Sequence, residues 1–577
     1  SGSIVRESMP APDTTTSRPN TSPPVASAIA DDDMRTPRRH RPVSVVPVSV
    51  TPEALRDRAG TSEPSAERNQ PWIDPATVVL LVVLAAVPRY VLPADGFFFD
   101  DAWQASAAVK GSLRDLPLLG QTQPGFTLLL MAATTVFGSS DLVLMGPSLV
   151  AGSLGPAALY LVLRRLDASR PLAALTATAL AACHVHIQYS GRVKTYPIDV
   201  LVVLGLVVAV TLLGRRTWTM RTTAGWLLAC GGLISLSSTS MLAAACATGV
   251  LALHPRGDWR WRWGALGTQA LFTGGFLLLT GLSVNTRSIA EFFEIRGATI
   301  GSHDPLSVPA RTAAHLFRAT RILVDLPDVL VVLVLVSSLA GLAILAFRGP
   351  HVLVGRFLIA CLAVALLGSV AGVVPIGAPN NSVDRVNIWL FPVLAVGFAR
   401  AATLLAGLVS PNLRRGLAIP AVALTMALGW QALTTEITYP LAGVTSAQER
   451  VMRELDDETA IWVTRYQVYG FVLEGSRAPN RGGNGDVNGD VSGDVSIVHQ
   501  THKNVGFAFD FDDPRLVSVL YGTEDEKLDA SIGPGVNRVV VVSMRLPPDD
   551  ENRKRLSWHL AFSGFERVAN EDVGGSN

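Results

Sequence analysis

The chain predicts a polytopic α-helical membrane protein, with about eleven transmembrane helices and a C-terminal α/β domain. Three observations predict it. Only 16% of the 577 residues are charged, well below the roughly 25% of a soluble protein. Apolar runs near 20 residues recur from about 77 to 435, and runs of that length span a hydrocarbon core of about 30 Å as helices. Beyond 440 the pattern changes to short β-branched runs mixed with charged amphipathic stretches.

Residues 1–70 are rich in Pro, Ser, Thr, Arg and Asp and lack apolar periodicity, which predicts a disordered cytoplasmic tail. The opening Ser1-Gly2-Ser3 reads as a remnant of expression, and no signal-peptide pattern precedes the first apolar run. The membrane domain is placed at 75–436. Its predicted spans are 77–93, 143–164, 170–187, 197–214, 223–236, 240–254, 264–283, 326–347, 353–374, 387–408 and 415–435. The stretch "GFTLLLMAATTVFG" at 125–138 is too short to cross comfortably and is placed flat on, or re-entrant into, the outer leaflet. That choice puts the basic loops "RRLDASR" (164–170), "GRRTWTMR" (214–221), "HPRGDWRWRW" (254–263), "FRGPHVLVGR" (347–356) and "NLRR" (412–415) on one side with the tail, as the positive-inside rule requires. The opposite face then carries the loop 94–142, the short loop 189–197, the long loop 284–325, the loop 374–385 and residues 440–577.

In that last region "AIWVT" (460–464), "LVSVL" (516–520) and "RVVVVS" (538–543) read as strands. "SAQERVMRELDD" (446–457) and "ENRKRLSWHLAFSG" (551–564) read as helices. The low-complexity stretch 482–496 carries Asp486, Asn488, Asp490 and Asp494 but lacks the glycine and closing Glu of a calcium loop, so it reads as a flexible surface loop.

Composition narrows the function classes. A net charge of +1 points away from nucleic acid. The four cysteines, Cys183, Cys230, Cys246 and Cys361, all fall in apolar runs and read as buried hydrophobes, neither disulfide frame nor metal site.

"GFFFDDAWQ" (96–104) stands out, because two adjacent carboxylates follow three aromatics just past the first span. One reading is a solvated loop with an interfacial aromatic belt. The other begins from chemistry. Transfer of a sugar from a lipid phosphate to a hydroxyl has a weakly basic leaving group, so a single carboxylate base suffices, unlike the two flanking acids of most glycosidases. One of Asp100 and Asp101 is then the base, and the other raises its pKa, or binds acceptor hydroxyls or a cation. Arg192, Lys194 and Tyr196 in "YSGRVKTYP" and Arg385 in "NNSVDRVNIW" lie on the same predicted face, where an Arg fork or Lys charge suits a phosphate. Snorkelling to the interface is the alternative for each cation. In the long loop, "IAEFFEI" (289–295) is amphipathic, and His303, Asp304, Arg311 and His315 are candidates for an acceptor groove or for plain loop packing.

The segments "FFFDDAWQA" (97–105), "QTQPGFTLLLMAATTVFGSSDLVLMGPSLVAGSLGPAALYLVLRRL" (121–166) and "YSGRVKTYPIDVLV" (189–202) together resemble the GT-C superfamily of polyprenyl-phosphate-sugar-dependent glycosyltransferases, nearest its protein mannosyltransferase and aminoarabinose transferase branch. "DRVNIWLFP" (384–392) is similar to its Arg-containing helix starts. Gln123-Pro124 stands where many relatives carry His-Pro-Pro, and the second acid is Asp rather than Glu. The Ala, Val, Arg and Pro bias matches a high-GC actinobacterial membrane enzyme. The resemblance implies Asp100 and Asp101 as catalytic residues, Arg192, Lys194, Tyr196 and Arg385 at the donor phosphate, and Gln123 and His303 towards the acceptor. It implies an inverting transfer from a polyprenyl-phosphate sugar, decaprenyl-linked for example, to a glycan, lipid or protein hydroxyl at the outer face of the plasma membrane. No cofactor is required, and the carboxylate pair leaves room for a divalent cation. Two rivals remain: a transporter or flippase of lipid-linked sugars, and a non-catalytic anchor for residues 440–577.

Overall fold

The computed structural model describes residues 73–91, 97, 99–110, 123–254, 257–283, 297–301, 306–377, 384–434 and five strands between 459 and 542. The order is α1 (Ile73–Val91), α2 (Phe99–Lys110), α3 (Pro124–Phe137), α4 (Asp141–Arg165), α5 (Arg170–Ala182), α6 (His184–Ser190), α7 (Tyr196–Leu213), α8 (Met220–Leu236), α9 (Ser238–Leu253) and α10 (Trp259–Ser283). Then come α11 (Val308–Val324), α12 (Asp328–Phe347), α13 (Val352–Val370), a 3-10 turn (Asp384–Asn387), α14 (Leu390–Leu408) and α15 (Pro411–Thr434). Among the described residues, six helices are long and apolar enough to cross a membrane: α1, α4, α7, α12, α13 and α14. The protein is a multi-pass helical membrane protein.

Three expectations need correction. The predicted span 170–187 is two helices, because Cys183 takes an extended conformation, φ −62° and ψ 111°, between α5 and α6. "FFFDD" leads into a helix rather than a loop, since α2 begins at Phe99. The segment "WRWRW" belongs to α10, whose start is fixed by Asp258 Oδ1 accepting from the Arg260 backbone N–H at 2.9 Å. The stretch at 125–138 is the 14-residue α3, about 21 Å long and too short for a bilayer core of about 30 Å.

The helix α4 organises the bundle, packing against α1, α3, α5, α6 and α7. Its two ends carry different chemistry. Near its C-terminus, the Tyr160 hydroxyl donates to Asp74 at the start of α1. Arg170 Nε donates to the same carboxylate at 3.1 Å, and Arg164 lies 3.5 Å from it. Near its N-terminus, Ser148 Oγ donates to the Lys194 carbonyl at 2.5 Å. Twelve residues of helix separate Ser148 from Tyr160, about 18 Å, so "RRLDASR" and "YSGRVKTYP" sit at opposite ends of the same helix.

Elsewhere small residues allow close crossings. A Cβ on Gly341 of α12 would lie 1.9 Å from the Gly397 carbonyl oxygen of α14, and one on Gly397 would lie 2.2 Å from the Ser338 carbonyl oxygen. Backbone contact of this kind is the usual source of cohesion between apolar helices in lipid, where burial offers little.

The strands are β1 (Thr459–Thr464), β2 (Ser496–Val498), β3 (Ala508–Asp510), β4 (Leu516–Val519) and β5 (Arg538–Val542). A parallel sheet runs β4-β1-β5, with Ile461 opposite both Leu516 and Val540, and β2 pairs antiparallel with β3. The mainly apolar, β-branched runs of β1, β4 and β5 suit a parallel sheet. The helices expected at 446–457 and 551–564 lie outside the described residues, as does 482–496 apart from Ser496.

Candidate active site

The first turn of α2 contains Asp100 and Asp101, where carboxylates meet the positive end of the helix dipole. The Asp100 side chain lies outside the described part. Asp101 is 2% exposed and ion-paired. Arg192 grips its Oδ2 twice, through Nε and Nη2, each at 2.6 Å. Lys194 Nζ stands 3.9 Å from Oδ1, a charge neighbour rather than a hydrogen bond.

The loop that delivers these cations is narrow and fixed at both ends. It runs between the end of α6 at Ser190 and the start of α7 at Tyr196. Pro197 stands just inside α7, a position that needs no backbone donor. Within the loop the Lys194 N–H donates to the Arg192 carbonyl at 2.9 Å, and Ser148 of α4 clasps the Lys194 backbone from below. The aromatic residues form a platform. Arg192 Cζ lies 5.1 Å from the Tyr189 ring centroid, and Tyr189 meets Tyr196 edge to face at 5.5 Å. Both geometries are favourable. Tyr196 is therefore a neighbour of the cation cluster through Tyr189.

Burial works against the Arg192 charge, but Asp101 and Tyr189 beside it more than offset that, and its pKa rises above the ordinary guanidinium value. Arg385 opposes the rise, so its charge is felt by Arg192. Arg385 stands in the 3-10 turn 384–387, which packs on α6 and α11. The structure thus brings together Asp101, Arg192, Lys194, Tyr196 and Arg385 from three separate stretches of chain.

Other candidates separate from this group. Gln123 caps α3 without a side-chain bond to it, and its Oε1 is buried without a hydrogen-bond partner. Only the packing of α3 on α2 relates it to the cluster. His303 and Asp304 lie outside the described residues, as does 289–295. Arg311 and His315 belong to α11 and act as braces: Arg311 Nη1 donates to the Ile300 carbonyl at 3.2 Å, and His315 Nδ1 bonds the Ile376 carbonyl at 2.5 Å. The next residue, Gly377, has φ +58°, and a Cβ there would lie 1.9 Å from the His315 carbonyl oxygen. Only glycine suits that turn.

One buried polar pair escaped the sequence reading. Arg89 and His186 pair inside the bundle. The signal was present: a cation after Pro88 within an apolar run, and "HVHIQYS" where a continuous apolar span was drawn. Asp199, in the first turn of α7, accepts from Ser237, and from Ser240 Oγ at 3.4 Å. It ties α7 to the N-terminus of α9.

Among the described residues no three His, Cys, Asp or Glu side chains converge as a metal site. With Arg192 on one oxygen and Lys194 facing the other, Asp101 is a poor cation ligand.

No family model matches the chain. No curated protein sequence matches it either. Among solved structures it is similar to ArnT from Cupriavidus metallidurans bound to undecaprenyl phosphate, at 12% identity and a TM-score of 0.40, over 70% of this chain and 85% of that one. The apo form of the same protein aligns at 13% identity and a TM-score of 0.37, over 69% and 84%. A likeness this loose carries no inference about this chain.

Proposed function

We propose that the protein is an inverting glycosyltransferase that moves a sugar from a polyprenyl-phosphate donor to a hydroxyl acceptor at the membrane surface. The observation that carries this reading is the half-enclosed cation group at one end of α4: Arg192 and Lys194, 11% and 12% exposed at their side chains, with Arg385 alongside. A partly enclosed group of cations of this kind suits an anion, and a lipid monophosphate offers one at a bundle end.

Asp101 positions Arg192. Asp100 takes the acceptor proton as the hydroxyl oxygen attacks the anomeric carbon. The bond from that carbon to the phosphate oxygen breaks, and the polyprenyl phosphate leaves with the electron pair beside the cations, which stabilise it. No general acid is required. The sugar, the acceptor, the plasma-membrane location and the topology, with residues 1–70 inside and 440–577 outside, belong to this proposal.

The transporter alternative calls for charge along the middle of the spans. Arg89 stands in the last turn of α1 and Asp199 in the first turn of α7, both towards the Asp101 end. The test is Asp100→Asn, assayed for transfer from a polyprenyl-phosphate sugar and for binding of polyprenyl phosphate. Transfer is expected to fall by about 100-fold or more, with binding retained. Unchanged turnover would remove Asp100 from its role.

A further inference from the structure

Arg89 is 2% exposed. Its Nη1 donates to the Ala85 carbonyl at 2.6 Å, and its Nη2 lies 2.7 Å from His186 Nδ1. A guanidinium only donates. The facing ring nitrogen must therefore accept, which assigns a neutral His186 with its proton on Nε2. That ring is fully buried, and Nε2 has no hydrogen-bond partner. His186 fixes the direction of the Arg89 guanidinium while adding no negative charge.

The depth of this pair is set by α4. A Cβ on Gly152 would lie 2.0 Å from Ser190 Oγ and 3.0 Å from Arg89 Nε, and one on Gly155 would lie 3.4 Å from His186 Nε2. Going inward along α4, Ser148 meets Lys194, Gly152 meets Ser190 and Arg89, and Gly155 meets His186. The step from Ser148 to Gly152 is about 6 Å of helix rise. Arg89 therefore lies about one turn beneath the Asp101–Arg192–Lys194 group.

We propose that Arg89, aimed by His186, is a positioning cation beneath the lipid-phosphate site, and that the pair sets the affinity of that site for the phosphate. The proposal rests on the polyprenyl-phosphate reading of the cluster above it. A unit charge about 7 Å from an anion, at an effective dielectric near 20, changes its affinity on the order of tenfold to fiftyfold. Most of such a contribution is already made to the anionic donor phosphate in the ground state, so it moves KM more than kcat.

The test uses the full chain in nanodiscs, with a long-chain polyprenyl monophosphate and the matching neutral polyprenol as probes. Arg89→Gln and His186→Ala are expected to weaken binding of the phosphate about tenfold or more, leave polyprenol binding unchanged, and raise the donor KM more than they lower kcat. His186→Asn, whose Oδ1 accepts where Nδ1 did, is expected to restore binding to within about threefold of the wild type. Phosphate binding by Arg89→Gln equal to wild type would overturn the proposal. So would parallel losses for both probes, or a His186→Asn variant as weak as His186→Ala. A wild-type protein that does not distinguish the phosphate from the alcohol would instead overturn the lipid-phosphate reading itself, and this proposal with it.

Discussion

Replacing Asp101 by Asn keeps the side-chain shape and removes one negative charge from a site that is almost closed to water. Asp101 and Arg192 are 3% and 11% exposed at their side chains and meet at 2.6 Å. Removing one member of a buried pair costs about 3–5 kcal/mol, because the other charge is left without compensation. The neighbouring Lys194 at 3.9 Å makes the two single changes unequal. Asp101→Asn strands two cations, whereas Arg192→Gln leaves Asp101 with Lys194 still beside it. Asp101→Asn is therefore expected to be the costlier change, and the double variant less costly than the sum, with a coupling of about 2–3 kcal/mol. The assay is unfolding of the purified protein in mixed micelles of rising sodium dodecyl sulfate content, followed by tryptophan fluorescence. A cost for Asp101→Asn below about 1 kcal/mol, the range of exposed pairs, would refute the burial argument. So would additivity of the two changes to within about 0.5 kcal/mol.

Gly152→Ala is expected to destabilise the same fold by about 1–3 kcal/mol through overpacking, because its Cβ would fall 2.0 Å from Ser190 Oγ and 2.5 Å from Ser190 Cβ. Adding Ser190→Gly, which removes both atoms, is expected to recover most of the loss in the same unfolding assay. His315 titrates below its ordinary value, chiefly because burial disfavours its charged form, with Arg318 and Arg311 adding to the effect. The unfolded chain then binds a proton that the native state refuses, so stability is full above pH of about 6.5 and declines as pH falls below it, by at most about 1.4 kcal/mol per unit. His315→Asn, whose amide donates to the same Ile376 carbonyl, is expected to flatten that decline. An unchanged acid limb would remove His315 as its source.

Several features of the protein were legible in the sequence. Apolar runs of bilayer length imply spanning helices whatever their packing, because lipid leaves backbone groups no partner outside a helix. The strand runs at 460–464, 516–520 and 538–543 were legible too, as β1, β4 and β5 show, since their apolar runs fit a parallel sheet. Asp101, Arg192, Lys194 and Arg385 could be selected as charges at the edges of apolar runs, where each demands a reason. Sequence could not assign the partners. Asp101 and Arg192 are 91 residues apart, and their meeting depends on where α2 starts and on how the extended residue Cys183 redirects α6. Arg311 and His315 stood as candidates for an acceptor groove or for plain loop packing; they brace the Ile300 and Ile376 carbonyls, the latter at the turn that Gly377 completes. Arg89 and His186 read as interruptions of apolar runs. Only the close approach of α1, α4 and α6 at Gly152 makes them a pair, because charge in a bundle is defined by what packs against it, and packing is a property of the three-dimensional fold.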